Sequence, residues 1–306
     1  MGLLTWLFGP PDIDKLKSKA DIDGLAEALR HEEPNIRKAA AAALGEIGAA
    51  AQRQKQAARL ERLQSGASVI SPVAHVEDRF QNIVGSVSAA LKGVVDDANA
   101  AVRREAVAAL APLRGFYHHR DGLIVALSDD QPSVRRLAAE TLVLWDSEFG
   151  PAVEPLIAKL QDDDVDVRVA ARVTLETWFE DERRDTDLAK RARAALQAQE
   201  LAVSNPVAGS IAVFDAGDEH YSISDDQLKY LVAKLLVFYL VRPAGFIRGA
   251  GWSEEDKIRA IGARLNRKGG IELMRQVHDA FRTRCTIPGA PRNLEILWDG
   301  IGIWKG

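Results

Sequence analysis

With one cysteine, two methionines and only 6% aromatic residues, this 306-residue chain lacks the material for several chemistries. A lone thiol, Cys285, cannot close an internal disulfide, so no disulfide framework holds the fold and a reducing, cytoplasmic setting is expected. No uncharged apolar run reaches the ~18 residues that a bilayer-spanning helix needs. The opening MGLLTWLFGPP has an apolar stretch too short for a secretory leader, with no basic residue before it. Trp6 stands where a myristoylation signal carries Ser or Thr. Trp6, Leu7 and Phe8 are expected to plug the first helices. Charge of one sign is also scarce. A net charge of −4 gives no global attraction to nucleic acid or to an anionic membrane.

Catalytic signatures are missing too. The chain has no G-x-S-x-G elbow, no Walker loop, no dinucleotide fingerprint and no H-E-x-x-H helix. His118, His119 and Asp121 could face a metal, but adjacent histidines rarely point at one ion. Asp215, Asp218, Glu219 and His220 read as a solvated acidic turn. His278 and Cys285 are seven residues apart, off the i, i+4 spacing that best joins two side chains on one helix. No catalytic residue, cofactor or bound metal is expected, and the chain is not expected to be an enzyme.

What the sequence does have is a repeat. Arg37, Arg103, Arg135 and Arg168 lie 66, 32 and 33 residues apart. Ile36, Val102, Val134 and Val167 stand one position before them. Ala40, Ala106, Ala138 and Ala171 follow three after; Leu44, Leu110, Leu142 and Leu175 follow seven after. Six before are His31, Asp97, Asp129 and Asp162. Four copies in register imply a stack of helix pairs. The β-branched, Ala and Leu positions fall on one helical stripe, and Ala keeps that stripe thin enough for close helix approach. Pro34 and Pro132 sit where a first-turn proline costs no hydrogen bond. Asn99 and Asp164 can cap their helices, whereas Glu33 and Gln131 are weaker caps. The arginine then lies in the first helical turns, where the macrodipole disfavours a cation. It should have an acidic partner, and the Asp six residues earlier is the candidate.

The pattern resembles the HEAT-like repeat family first described in phycobilisome lyases, whose repeats read D-x-x-x-x-V-R-x-x-A-A-x-A-L. The resemblance covers roughly residues 20–180, and the opening residues look like the usual start of such proteins. It implies a structural ladder of Asp97, Asp129 and Asp162 with Arg37, Arg103, Arg135 and Arg168, holding the fold and catalysing nothing. Ankyrin repeats share the period, but their T-P-L-H signature is absent, as is the tetratricopeptide Trp/Tyr pattern. Two other roles come with the family. One is lyase or isomerase chemistry on a bilin; the other is the cradling of DNA in a basic groove, which an acidic array does not offer.

The array is not uniform. An insertion over residues 49–76 holds the polar helix GAAAQRQKQAARLERL, prolonging the one before it. A Ser-Gly-Pro-rich loop near 65–75 follows, and then the helix EDRFQNIVGSVSAALKGVV. GFYHHRDG reads as a tight connection. RRDTDLAKRARAALQAQELA gives a helix capping the array, and SNPVAGS a linker. Beyond it, GSIAVFDAGDEHYSI suggests two short strands. SDDQLKYLVAKLLVFYLV, WSEEDKIRAIGARLNRKGG, IELMRQVHDAFRTR and NLEILWDG read as helices stopped by Pro243, Gly269, an unmarked end and Gly300. From Arg242 onward 12 basic residues face 7 acidic ones, so this stretch is +5 and the rest −9. Arg242, Arg248, Arg264, Arg267, Lys268, Arg275, Arg282 and Arg284 could form a basic face near Trp252.

One row of the second helices remains off the apolar stripe, at one, five and nine positions after each arginine. It reads Lys38, Ala42, Glu46; Arg104, Ala108, Pro112; Arg136, Glu140, Leu144; and Val169, Val173, Thr177. Such a row lines the inner curve that solenoids use for binding. Exposed valines require a cover, so the C-terminal domain is expected to pack on Val169 and Val173. The whole then reads as a mainly all-α chain. An α-solenoid of HEAT-like helix pairs (1–200) precedes a small, mostly helical domain (205–306). The expected role is a scaffold binding a protein or peptide, acidic in character, through Lys38, Arg104, Arg136 and Glu140. Neither a membrane nor nucleic acid is an expected partner.

Overall fold

The structure, a computed structural model, describes residues 10–65, 72–113, 117–144, 150–179, 186–203, 223–241 and 254–304. Trp6, Leu7 and Phe8, residues 66–71 of the expected loop, the acidic turn with His220, and Trp252 lie outside them. Among the described residues every regular element is a helix. In chain order these are α1 (Ile13–Ser18), α2 (Ile22–Ala28), α3 (Pro34–Ser65), α4 (Pro72–Lys92), α5 (Ala100–Leu110), α6 (Tyr117–Ala126) and α7 (Pro132–Leu142). There follow α8 (Gly150–Lys159), α9 (Val165–Phe179), α10 (Asp187–Val203), α11 (Asp225–Val241), α12 (Glu254–Arg284) and α13 (Ala290–Trp298). No helix among the described residues is long and apolar enough to cross a membrane.

The register seen in the sequence is the register of burial. Ala40, Ala106, Ala138 and Ala171, with Leu44, Leu110, Leu142 and Leu175, are all completely buried, as are Val102, Val134 and Val167. The Ala and Leu positions are thus equivalent in packing in all four copies, while Ile36, the first copy's counterpart of the valines, is half-buried.

Residues Met1–Pro155 form one compact unit. Within it α3 packs against α4 and α5, and α5 against α7. The 66-residue gap is filled by lengthening one hairpin: α3 runs on for 32 residues and α4 takes 21. Small residues set how close α3 and α5 come. A Cβ on Gly45 would sit 2.7 Å from the Cβ of Ala109, and one on Gly48 would lie 2.6 Å from Leu113. Helix starts follow the expected chemistry. Asn99 Oδ1 accepts from the Ala101 N–H at 2.9 Å, and α7 opens on Pro132 with no side-chain cap from Gln131. GFYHHRDG departs from expectation: from Tyr117 on it is the first turns of α6 and not a connection. His118 and His119 occupy a helix that runs into the buried Leu123, Ala126 and Leu127, and that apolar run outweighs the turn signals before it.

Residues Leu156–Gly306 form the second unit, so the last Arg-bearing copy keeps company with the C-terminal helices. Here α9 packs on α10 and α11, α11 on α12, and α12 on α13. Asp164 caps α9, accepting from the N–H groups of Asp166 (2.9 Å) and Val167 (3.1 Å). A reciprocal capping box opens α11. Ser224 Oγ accepts from the Gln227 N–H at 3.2 Å, and Gln227 Oε1 accepts from the Ser224 N–H at 2.9 Å. The break expected at Gly269 interrupts α12, with Gly270 at φ 62°, ψ −156°, a conformation open essentially to glycine alone. The core of this unit gathers Leu235, Met274, Val277, Phe281, Leu294 and Trp298.

Candidate binding surface

The repeated arginine does two jobs at once. In every copy Nη1 donates to the backbone carbonyl six residues earlier, which closes the turn before its own helix. The distances are 2.8 Å for Arg37 to His31, 2.8 Å for Arg103 to Asp97, 2.9 Å for Arg135 to Asp129 and 2.7 Å for Arg168 to Asp162. A second carbonyl, five residues earlier, accepts from the same nitrogen in each copy.

The carboxylate partner comes from a different copy, which corrects the expected pairing. Arg37 binds Asp97 through Nε (2.7 Å) and Nη2 (2.8 Å), sixty residues away. Arg103 binds Asp129 likewise (2.6 and 2.9 Å) and also pairs with Asp130. Geometry dictates this split. The arginine approaches its own turn from the carbonyl side, while the aspartate there is already folded back on its turn. Asp97, Asp129 and Asp162 each accept from the backbone N–H two residues on, at 2.8, 2.8 and 3.1 Å. The carboxylates of Asp97 and Asp129 are thereby turned toward the preceding copy's arginine, whereas Asp162 Oδ2 accepts from Lys159 Nζ at 3.2 Å. His31 fills that turn position in the first copy with Nδ1, which accepts from the Glu33 N–H at 3.1 Å.

These rungs shift the acids. The guanidinium hydrogen bonds of Arg37 hold the Asp97 carboxyl below its ordinary value, against the opposing effect of burial. For Asp129 burial is the larger influence and pushes upward. The Arg103 bonds and the Gln131 N–H outweigh it, and this carboxyl too ends low.

Beside the rungs lies the row proposed for binding. Lys38 and Arg104 are exposed, one residue past Arg37 and Arg103, on helices that pack together. Neither pairs with a carboxylate among the described residues. Arg136 on α7 is half-buried and reaches Glu140 at 3.5 Å, a long contact. One turn further along, Ala42 is half-buried and Ala108 exposed, so small side chains flank the cations.

In the second unit the equivalent row is covered: Val169 and Val173 are buried, on the helix against which α11 packs. A polar cluster that sequence reading missed stands beside them. Glu176 Oε1 takes Arg172 Nε at 2.8 Å, while its Oε2 accepts from Tyr230 Oη at 2.7 Å and from Lys234 Nζ at 3.1 Å. The Arg172 guanidinium lies 4.8 Å from the centre of the Tyr230 ring. Burial pushes Glu176 upward, but the Lys234 charge and the Arg172 and Tyr230 bonds prevail and hold it low. Burial, with the Glu176 charge behind it, pushes the Tyr230 phenol up to about 12. The signals were two i, i+4 pairs, Arg172–Glu176 and Tyr230–Lys234, each of which reads alone as ordinary helix-surface support.

The remaining candidates do not converge. His278 is buried against Trp304, with Glu295 at 3.4 Å, while Cys285 Sγ lies 3.8 Å from the Ile287 carbonyl oxygen. No group of three or more His, Cys, Asp or Glu residues that could hold a metal occurs among the described residues. Of the expected basic face, Arg275 meets Glu272, Arg282 meets Asp279 and Arg284 meets Asp166, while Arg242 and Arg248 lie outside the described residues.

Two family models agree with the repeat. HEAT repeats match residues 87–176, and a further HEAT repeat matches residues 22–51. The sequence matches no curated protein significantly. Among solved structures, an engineered protein from the Northeast Structural Genomics Consortium is similar at 15% identity and a TM-score of 0.42, covering 90% of this chain and 97% of its own. A second engineered protein from the same consortium has 15% identity and a TM-score of 0.33, covering 92% and 79%.

Proposed function

We propose that this protein is a non-enzymatic scaffold whose second-helix row binds an acidic segment of a protein partner. The observation that carries the reading is the contrast between neighbours. Arg37 and Arg103 are engaged in rungs, whereas Lys38 and Arg104, the next residues, face solvent at equivalent positions. Repeat surfaces suit such work because each copy adds a side chain to an extended site held in place by the copies beside it. Arg136 continues the row, with Glu140 one turn on as its intramolecular neighbour at 3.5 Å. Val169 and Val173 serve the inside of the second unit instead. A reducing, cytoplasmic setting fits the single cysteine.

The test is charge reversal. The triple variant Lys38→Glu, Arg104→Glu, Arg136→Glu should lose the partners that the wild-type chain captures, without much lowering of the melting temperature. Equal capture by both proteins removes these residues from the site.

The D-x-x-x-x-V-R pattern shared with phycobilisome lyases supports a second reading, in which the chain attaches or isomerises a bilin. Adding bilin and an acceptor protein and recording the visible spectrum decides it. Nucleic-acid binding by the C-terminal cations draws less support, because Glu272, Asp279, Glu295 and Asp166 already face four of them. A gel shift with steep salt dependence would restore it.

A further inference from the structure

We infer that the segment taken by the cation row is an acidic peptide in the polyproline II conformation, with a carboxylate at every third residue. The inference rests on the scaffold reading above and adds the register and backbone form of the ligand.

Spacing supplies the argument. Lys38, Arg104 and Arg136 hold the same register on α3, α5 and α7, and those helices pack in sequence. The bonds from Arg37 to Asp97 and from Arg103 to Asp129 tie the successive copies at the turns that open α5 and α7. Packed helices lie about 8–10 Å apart. A polyproline II chain has three residues per turn and rises about 3.1 Å per residue, which brings every third side chain to the same face about 9.3 Å along. One carboxylate per repeat then meets one cation per repeat. A β-strand fails this match, because side chains three residues apart point to opposite faces.

An α-helix could reach a similar step with every seventh residue, but it docks by burying an apolar stripe. The row offers Ala42 and Ala108 beside its cations, which is little apolar surface, and Glu46 lies beyond, bound to Lys17 at 2.6 Å. A polyproline II backbone makes no internal hydrogen bonds and stays solvated, so it needs no apolar floor. The same small residues let its backbone lie close.

The three subsites are unequal. Lys38 and Arg104 are open, whereas Arg136 leans toward Glu140, whose charge also repels an incoming carboxylate. The Arg136 subsite is therefore self-occluded, and Glu140→Gln should raise affinity for the acidic peptide.

The experiment measures fluorescence polarisation of labelled peptides with the full chain at low ionic strength. One peptide repeats Pro-Glu-Pro three times; its control has the same composition with the glutamates adjacent; a helical peptide carries glutamate at every seventh position. Exposed pairs each contribute up to about fivefold, so the repeating peptide should bind tens of times more tightly than to the triple charge-reversed protein, and several times more tightly than the control. Glu140→Gln should tighten it further. If the adjacent-glutamate or helical peptide binds as well as the repeating one, and reversal weakens both, the row binds acid but the register is wrong. If reversal leaves all peptides unaffected, the register and the scaffold site fall together.

Discussion

Arg37 and Asp97, sixty residues apart in sequence, meet through two hydrogen bonds of 2.7 and 2.8 Å, and the same arginine closes its own turn through the His31 carbonyl. One guanidinium thus fastens a turn and the neighbouring copy together. Its planar fork suits this double duty; a lysine has the charge but not the geometry.

Asp97→Asn should therefore be costly despite its small change in size. It keeps an oxygen for the Asn99 N–H but leaves Arg37 half-buried without its anion. A loss of about 2 kcal/mol is expected, in the range for charge-assisted bonds, measured by urea unfolding. A loss below ~0.5 kcal/mol would mark the rung as an ordinary surface pair.

Acid should unpick the rungs. Asp97 and Asp129 both titrate below the ordinary carboxylate value in the folded chain. Their contribution to stability is complete above the unfolded value of about 3.9. It declines as pH falls through that region toward the lower folded values, because the unfolded chain takes up protons first. The double variant Asp97→Asn, Asp129→Asn should be less stable at neutral pH and flatter in its acid dependence.

Gly45 permits the approach of α5 to α3. Alanine there gains about 1 kcal/mol of helix propensity but brings a Cβ to 2.7 Å from Ala109 Cβ and 3.0 Å from its Cα. Backbone cannot move aside as a side-chain tip can, so Gly45→Ala should be destabilising by about 1–2 kcal/mol net. Thermal unfolding beside Gly93→Ala, where the nearest atom is at 3.4 Å, makes the comparison.

Glu176 can be read through its neighbour. Removing its charge with Glu176→Gln takes away one of the two main influences raising the Tyr230 phenol, while burial remains. The phenolate absorbance of Tyr230, isolated by difference from Tyr230→Phe, should titrate near 12 in the wild type and lower in Glu176→Gln.

The stack was legible because its positions are tied to burial. Ala40, Ala106, Ala138 and Ala171 had to be small, and Leu44, Leu110, Leu142 and Leu175 apolar, for neighbouring pairs to pack at all. Pro34, Asn99 and Asp164 marked helix starts by local chemistry that sequence carries directly. Partnership was not legible in the same way. Which Asp faces Arg103 depends on the direction from which each side chain enters the turn, and Asp97 and Asp129 look identical as letters. The Glu176 cluster needed α9 and α11 to meet, and no periodicity within either helix says that they do. GFYHHRDG misled because its glycines and histidines outweigh, letter by letter, the apolar run that makes it helical.

The most direct measurement is a pair of double-mutant cycles on unfolding free energy, one crossing Arg103→Ala with Asp129→Ala and the other crossing Arg103→Ala with Asp97→Ala. If rungs join successive copies, the first cycle should give a coupling of about 1–3 kcal/mol and the second a clearly smaller one. A larger coupling between Arg103 and Asp97 would put the ion pair inside a single copy and contradict the ladder.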